Sequence, residues 1–314
     1  MESPADRRPV PPAFLGAVDA LDQAGVLFTI RKPPKERELD LFVEAGSRHA
    51  AGDALVRSGF AEVAARGQRR HRFYLTYSAG IWQKIDVKLT PGRTWLPAPN
   101  RVARVFARVA AQVPPTRRRS GLVIVFLGPD GAGKSTVINA ISERTPVACH
   151  VWSAGSGGSR GSRAGRPRGP TMRLKVREPL AVLKKLLRSA PALVRIYAAA
   201  WRGGIVLCEG HPREALATRL RITPLAVRLE RFLLRRVIPT PDLTVVLDAP
   251  TAVLLGRKDE HPAADLDRWR SGYHEEFPEG QRVHHVGTDR PLDDTVADIQ
   301  GRIWAALQAR RGSA

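Results

Sequence analysis

The stretch Gly128-Pro129-Asp130-Gly131-Ala132-Gly133-Lys134-Ser135-Thr136 constrains this chain more than any other. Directly before it runs Leu122-Val123-Ile124-Val125-Phe126-Leu127, apolar at every position and rich in β-branched residues. Such a run reads as a strand buried on both faces, the pattern of a parallel sheet. Directly after it, Val137, Ile138, Ala140 and Ile141 recur at helical spacing. Strand, glycine loop and helix therefore follow one another without a spacer. Gly128, Gly131 and Gly133 free the backbone to adopt unusual φ/ψ values and to approach a ligand closely. The loop N–H groups then converge as an anion nest, reinforced by the positive end of the helix.

The same residues fit G-x-x-x-x-G-K-[ST], the phosphate-cradling loop of P-loop NTPases. On that reading Gly128, Asp130, Gly131, Ala132, Gly133, Lys134, Ser135 and Thr136 bind ATP. Lys134 reaches the β- and γ-phosphates, the Ser135 hydroxyl ligates Mg²⁺, and Thr136 adds a contact to the α-phosphate. A glycine-rich turn with an incidental lysine is the bland alternative. It leaves the flanking strand and helix without a reason.

At 314 residues the chain has room for two domains, and its apolar fraction of 43% suffices for a core in each. The net charge of +21 points to anionic partners: nucleotides, weak binding to an anionic membrane surface, or nucleic acid. Two cysteines, Cys149 and Cys208, make neither a disulfide framework nor a metal cluster. Cys208 sits in an apolar run and reads as a small core residue. Met1–Pro12 is polar and proline-rich, unlike a signal peptide, and no uncharged run is long enough to span a bilayer. The expected location is cytoplasmic. A homodimer is compatible with the sequence, which does not fix the oligomeric state.

Helices are expected at Phe14–Ala24, Ala50–Arg57 and Arg101–Val113, and strands at Val26–Ile30 and Leu39–Val43. Arg72–Tyr77 and Ile81–Leu89 read as a hairpin around Ser78-Ala79-Gly80. Pro114-Pro115 ends the third helix, and Thr116–Ser120 is a basic linker. The expected division is therefore 1–115, a linker at 116–120, and 121–314. In the second part, Ser153–Pro170 is rich in Gly, Ser and Arg and reads as a mobile loop. Leu174–Ala200 reads as a helix with a charged face. Ile205–Glu209, Leu243–Leu247 and Arg282–Val286 read as strands. Ala252–Leu255, Asp265–Glu276 and Asp293–Gln308 read as helices. Alternating strands and helices imply an α/β fold, a parallel sheet with helices on both faces. A smaller α+β domain precedes it.

From Gly121 to the C-terminus the chain resembles the thymidylate kinase-like branch of the nucleoside monophosphate kinases. Phe126-Leu127-Gly128-Pro129-Asp130-Gly131-Ala132-Gly133-Lys134-Ser135-Thr136 carries the likeness, together with Pro241-Asp242-Leu243-Thr244-Val245-Val246-Leu247-Asp248-Ala249-Pro250. The resemblance implies transfer of the ATP γ-phosphate to a nucleoside monophosphate or another small anionic acceptor. It implies a lid near Arg257-Lys258-Asp259-Glu260, with Arg268, Arg270 and Tyr273 in the following helix. Lys134, Glu209 and Arg257 are then the catalytic candidates, and Ser135 and Glu209 the Mg²⁺ ligands. Asp248 either contributes a Walker-B-like carboxylate or caps the turn after it. One departure bears on the acceptor. Such kinases usually carry an Asp-Arg pair where this chain has Glu209-Gly210. The acceptor-binding arginine is missing there, and His211 or Arg213 is the nearby substitute.

Residues from about Phe14 to Leu89 resemble a small nucleotidyltransferase. The likeness rests on Glu38-Leu39-Asp40-Leu41 and Ile85-Asp86-Val87. Period-two alternation puts Glu38 and Asp40 on one strand face. With Asp86 they would form a second Mg²⁺ site. Active members carry a glycine turn before the paired carboxylates. Here that segment is Arg31-Lys32-Pro33-Pro34-Lys35, so the domain is either an unusual phosphate binder or a non-catalytic reader.

Two other functions compete. ATP binding could act as a regulatory switch on the N-terminal domain, without a phosphate acceptor. The basic charge could instead serve nucleic-acid or membrane-surface binding, although only 6% of residues are aromatic and no stacking platform is evident.

Overall fold

A computed structural model describes residues 10–64, 71–90, 121–153, 190–214, 238–258 and 260–312, with residues 217, 232 and 236. The helix expected at Arg101–Val113, the linker at 116–120, most of the 153–170 loop and most of Leu174–Ala200 lie outside these residues, as does Asp259.

The first half builds a mixed sheet. Helix α1 (Pro12–Gln23) precedes β1 (Phe28–Ile30) and β2 (Glu38–Glu44); α2 (Arg48–Arg57) leads to β3 (Ala61–Val63). The hairpin β4 (His71–Ser78) and β5 (Ile81–Thr90) follows. The strand order is β1-β2-β5-β4-β3, with only β2 and β5 parallel. Alternation decides the faces. Leu39, Leu41 and Val43 of β2 pack with Phe14 and Leu21 of α1 and Leu55 of α2. Phe73, Leu75 and Trp82 join the core of the second half. The short β3 was not apparent from the sequence. It is an edge strand, and the residue after it ties it to the second half, where Ala64 N–H donates to Gly203 O at 2.8 Å.

The second half contains β6 (Leu122–Leu127), α3 (Lys134–Arg144), β7 (His150–Ser153), β8 (Ile205–Glu209) and β9 (Leu243–Asp248). After these come α4 (Thr251–Arg257), α5 (Ala263–Glu276), β10 (Val283–Gly287) and α6 (Leu292–Gly312). All five strands are parallel, in the order β10-β9-β6-β8-β7. Every residue of β6 is buried. One sheet face packs against α3 and α6, and the other against residues 196–200 and Tyr273 of α5. This is the α/β architecture expected from the alternation of elements. β7 was missed because Cys149-His150-Val151-Trp152 is too short and mixed to signal a strand.

The halves share one core. Trp82 of β5 meets Trp304 of α6 edge-on at 6.1 Å and Tyr77 at 4.8 Å. The Tyr77 hydroxyl donates to Ala297 O at 3.3 Å. Among the described residues no helix is long and apolar enough to cross a membrane.

Candidate active site

The chain leaves β6 for α3 at the point where the strand order reverses, β8 lying on one side of β6 and β9 on the other. In open α/β sheets that switch point opens a crevice beyond the carboxyl ends of the strands. The glycine loop occupies it. Gly128, Gly131 and Gly133 have φ of 141°, 86° and 82°, closed to most side chains. A Cβ on Gly128 would sit 2.2 Å from Leu247 O, so the loop lies directly on β9. Ala132 N–H donates within the loop to Pro129 O at 3.2 Å. Among the described residues the Gly131 and Gly133 amides have no backbone acceptor. The Lys134 ammonium folds back over the loop, donating to Gly128 O at 2.7 Å and Pro129 O at 3.0 Å. Asp130 lies 3.9 Å from it.

Glu209 reaches this loop through strand register. It ends β8 opposite Phe126 of β6, and Gly210 N–H donates to Phe126 O at 3.0 Å. The Ser135 hydroxyl donates to Glu209 Oε1 at 2.7 Å. The pair joins a hydroxyl and a carboxylate, hard oxygen donors of the kind Mg²⁺ takes.

Arg257 stands elsewhere than a projecting lid cation would. At the end of α4 its guanidinium donates to Thr288 O at 2.6 Å and to Thr288 Oγ1 at 3.2 Å. It also approaches Gly131 O at 3.5 Å. It braces the outer side of the loop against the end of β10. Asp248 forms a two-point pair with Arg270, at 2.7 and 3.0 Å. Burial opposes its charge, but the Arg270 guanidinium outweighs this and holds the carboxyl below its usual range. Arg268 is exposed on α5, beside Asp265.

Four residues at the site stand otherwise than the sequence alone suggests. The Tyr273 hydroxyl donates to Glu214 Oε1 at 2.6 Å and lies 3.1 Å from Gly128 O, which ties α5 to the loop. Burial raises the Glu214 carboxyl above its ordinary range, against the lowering effect of the Tyr273 bond and the Lys134 charge. Glu214 sits in a short 3-10 turn after β8, and only its place at a strand's carboxyl end hinted at a site. His211 corrects the expectation that it replaces the missing arginine. It is buried, its Nδ1 accepts from Arg213 N–H at 3.3 Å, and burial lowers its pKa to about 3. It is therefore neutral at physiological pH. Nor does Arg213 present its guanidinium free: it donates to Ile238 O at 2.8 Å.

The neutral burial of His211 has a consequence for stability. The unfolded histidine takes a proton near 6.5 and the folded one only near 3. Its folded pKa is depressed, so the unfolded state binds more protons as pH falls below 6.5, and stability is lost down to about 3. His211→Gln is expected to reduce that acid sensitivity by about 1.4 kcal/mol per pH unit across the window. Urea unfolding midpoints of both proteins at several pH values test this; parallel curves would refute it.

The three N-terminal carboxylates share a face, and Asp40 stands opposite Asp86 in the parallel register. Each nevertheless has a local side-chain partner. Asp40 lies 3.7 Å from Arg31 and 3.2 Å from Lys32, Asp86 lies 2.7 Å from His71 Nδ1, and Glu38 lies 2.6 Å from Lys84. Arg31 and Lys32 of the basic segment thus face the Asp40 carboxylate. Glu38, Asp40 and Asp86 do not gather their oxygens within 4.8 Å of one another; among the described residues the carboxylates of Asp130 and Glu260 and a ring nitrogen of His261 do come that close.

A glycine loop at the switch point of a parallel sheet, with a lysine over it and a serine–carboxylate pair beside it, defines the P-loop kinase class. No family model matches the chain. The thymidylate kinase of Deinococcus radiodurans is 31% identical over 210 residues, covering 60% of this chain and 98% of that enzyme. The thymidylate kinase of Rhodopseudomonas palustris is 27% identical over 221 residues, covering 64% of this chain and 95% of that enzyme. The chain belongs to the thymidylate kinase family. Two solved structures are more distant. The deoxyadenosine kinase of M. mycoides with bound dATP has a TM-score of 0.39 at 11% identity, over 58% of this chain and 99% of that one. The thymidylate kinase of Candida albicans has a TM-score of 0.43 at 15% identity, over 62% and 94%. At these scores neither bears on substrate.

Proposed function

We propose that this protein is an ATP-dependent phosphotransferase that moves the γ-phosphate to a nucleoside monophosphate or another small anionic acceptor. The observation that carries the reading is the Ser135–Glu209 contact of 2.7 Å beside the glycine loop. Family membership supports the same chemistry. The loop amides and Lys134 bind the polyphosphate, the ammonium exchanging the Gly128 and Pro129 carbonyls for phosphate oxygens. Bound Mg²⁺ would supply charge neutralisation across the phosphates, with Ser135 and Glu209 as the residues fitted to hold it. An acceptor oxygen attacks the γ-phosphorus as the bond to the bridging oxygen breaks, and ADP leaves. Little covalent work falls to the protein; positioning and electrostatics carry the rate. Arg257 serves by bracing the loop.

The acceptor end differs from a thymidine nucleotide site. Gly210 stands where the acceptor arginine would be, and the neighbouring histidine is uncharged. This favours an acceptor that is held by other groups. It also leaves room for the second reading, an ATP-dependent switch acting on the N-terminal half. We place the domain division between the two sheets, at 116–120, and read the first domain as non-catalytic, since its basic residues pair with its own carboxylates.

A mass-spectrometric screen of nucleoside monophosphates, sugars and lipid head groups with Mg·ATP separates these readings. Transfer to one acceptor class is expected. Failure of the purified protein to bind Mg·ATP would end both. Glu209→Gln is expected to lower kcat by about ten- to a hundredfold and to raise the Mg²⁺ concentration needed for half-maximal rate. Unchanged Mg²⁺ dependence would exclude Glu209 from the metal's surroundings.

A further inference from the structure

A cavity of about 500 Å³ lies at the seam between the two halves. Arg37, Glu38, Trp82 and Lys84 line it from the N-terminal sheet, Arg144 from the end of α3, and Gln300 from α6. Three cations thus face one carboxylate. Lys84 holds Glu38 at 2.6 Å, and Arg144 is paired with Asp293. Arg37 is exposed and has no ion pair among the described residues.

The neutral wall residues are short of acceptors too. Trp82 and Gln300 are only 6% and 4% exposed. The indole Nε1 of Trp82 and the amide Nε2 of Gln300 are both buried without a hydrogen-bond partner. Both N–H groups are sealed from the open volume, so the surplus of the seam is one of positive charge: Arg37, Lys84 and Arg144, from three separate segments, against Glu38. Two guanidinium groups and an ammonium lining one cavity suit a phosphate dianion, which accepts several charge-assisted bonds at once and would draw Lys84 from Glu38 and Arg144 from Asp293. The volume exceeds that of a bare phosphate, and the Ile81, Trp82 and Pro146 walls add apolar surface.

We propose that this seam is a binding site for a small organic phosphate, a sugar phosphate or a nucleoside monophosphate, separate from the glycine loop. α3 connects the two sites. It begins at Lys134 and ends at Arg144, 11 residues, a run of about 16 Å at the helical rise. A ligand that fixes Arg144 acts on the far end of the helix whose first turn holds the donor loop. Because its occupant touches both halves, it also fastens the N-terminal sheet to α6.

The test is calorimetric titration of the full chain with inorganic phosphate, ribose 5-phosphate and adenosine 5′-monophosphate. Wild type is compared with Arg37→Glu, Arg144→Glu and Lys134→Ala. At least one ester is expected to bind wild type and Lys134→Ala alike, and at least about tenfold more weakly in each arginine variant. Preference for ribose 5-phosphate or for the nucleotide tells the two sources apart. Amide hydrogen exchange on the wild type supplies a readout that needs no variant to fold: the ester should protect 78–84, 144–147 and 297–300. The proposal is overturned if no ester binds, if Arg37→Glu leaves affinity within about twofold, or if Lys134→Ala alone abolishes binding. It is equally overturned if inorganic phosphate binds as tightly as the esters, or if binding leaves those three segments unprotected.

Discussion

Lys134→Ala is expected to reduce phosphate transfer by about a thousandfold in kcat while the protein remains folded. The lysine supplies the only flexible cation over the loop among the described residues bonded to the Gly128 and Pro129 carbonyls. A transferring phosphoryl group spreads negative charge over its oxygens, and a cation placed there gains most as that charge develops. Stability should change little, because the interactions lost are hydrogen bonds to loop carbonyls that water replaces. Single-turnover transfer from ATP reads the first effect and a thermal melt the second. Transfer at the wild-type rate would remove the glycine loop as the donor site.

Gly128→Ala is expected to destabilise the protein by about 3 kcal/mol or more. Two penalties coincide at this residue. Its φ of 141° is one that a residue with a Cβ rarely adopts, and that Cβ would meet Leu247 O at 2.2 Å. The clash cannot relax by a side-chain rotation, since both sides are backbone and β6 is paired to β9 through Leu127 and Val246. Gly133 is the control. Its φ is 82° with nothing within 4 Å of the added atom, so Gly133→Ala carries strain alone, about 1–2 kcal/mol. Urea unfolding of both variants measures the difference. Equal midpoints would show that contact with β9 does not constrain the loop.

The elements that could be read directly share one property: their pattern is local. β6 is apolar throughout because it is central in a parallel sheet, and its glycine loop has the spacing that phosphate geometry requires. The β4–β5 hairpin follows from alternation around Ala79-Gly80, where Ala79 itself takes a φ of 49°. β3 and β7 were invisible because short edge strands are held by neighbours whose sequence is far away. The same distinction divides the site. Lys134 and Ser135 were legible from the motif, whereas the Tyr273–Glu214 link to Gly128 joins residues from three separate segments.

Charge pairing shows the limit most clearly. Glu38, Asp40 and Asp86 lie on one face as period-two alternation required, yet Lys84, Arg31, Lys32 and His71 claim them. His211 is a basic residue by sequence and a neutral one by burial. The sequence by itself determined the phosphate loop, the parallel α/β sheet around it and the kinase family, since each rests on residues adjacent along the chain. Only the tertiary structure decided which charges survive, where Arg257 stands and that the two halves enclose a basic cavity. Solvation and ion pairing depend on what packs nearby in space, and residues far apart along the chain supply those neighbours.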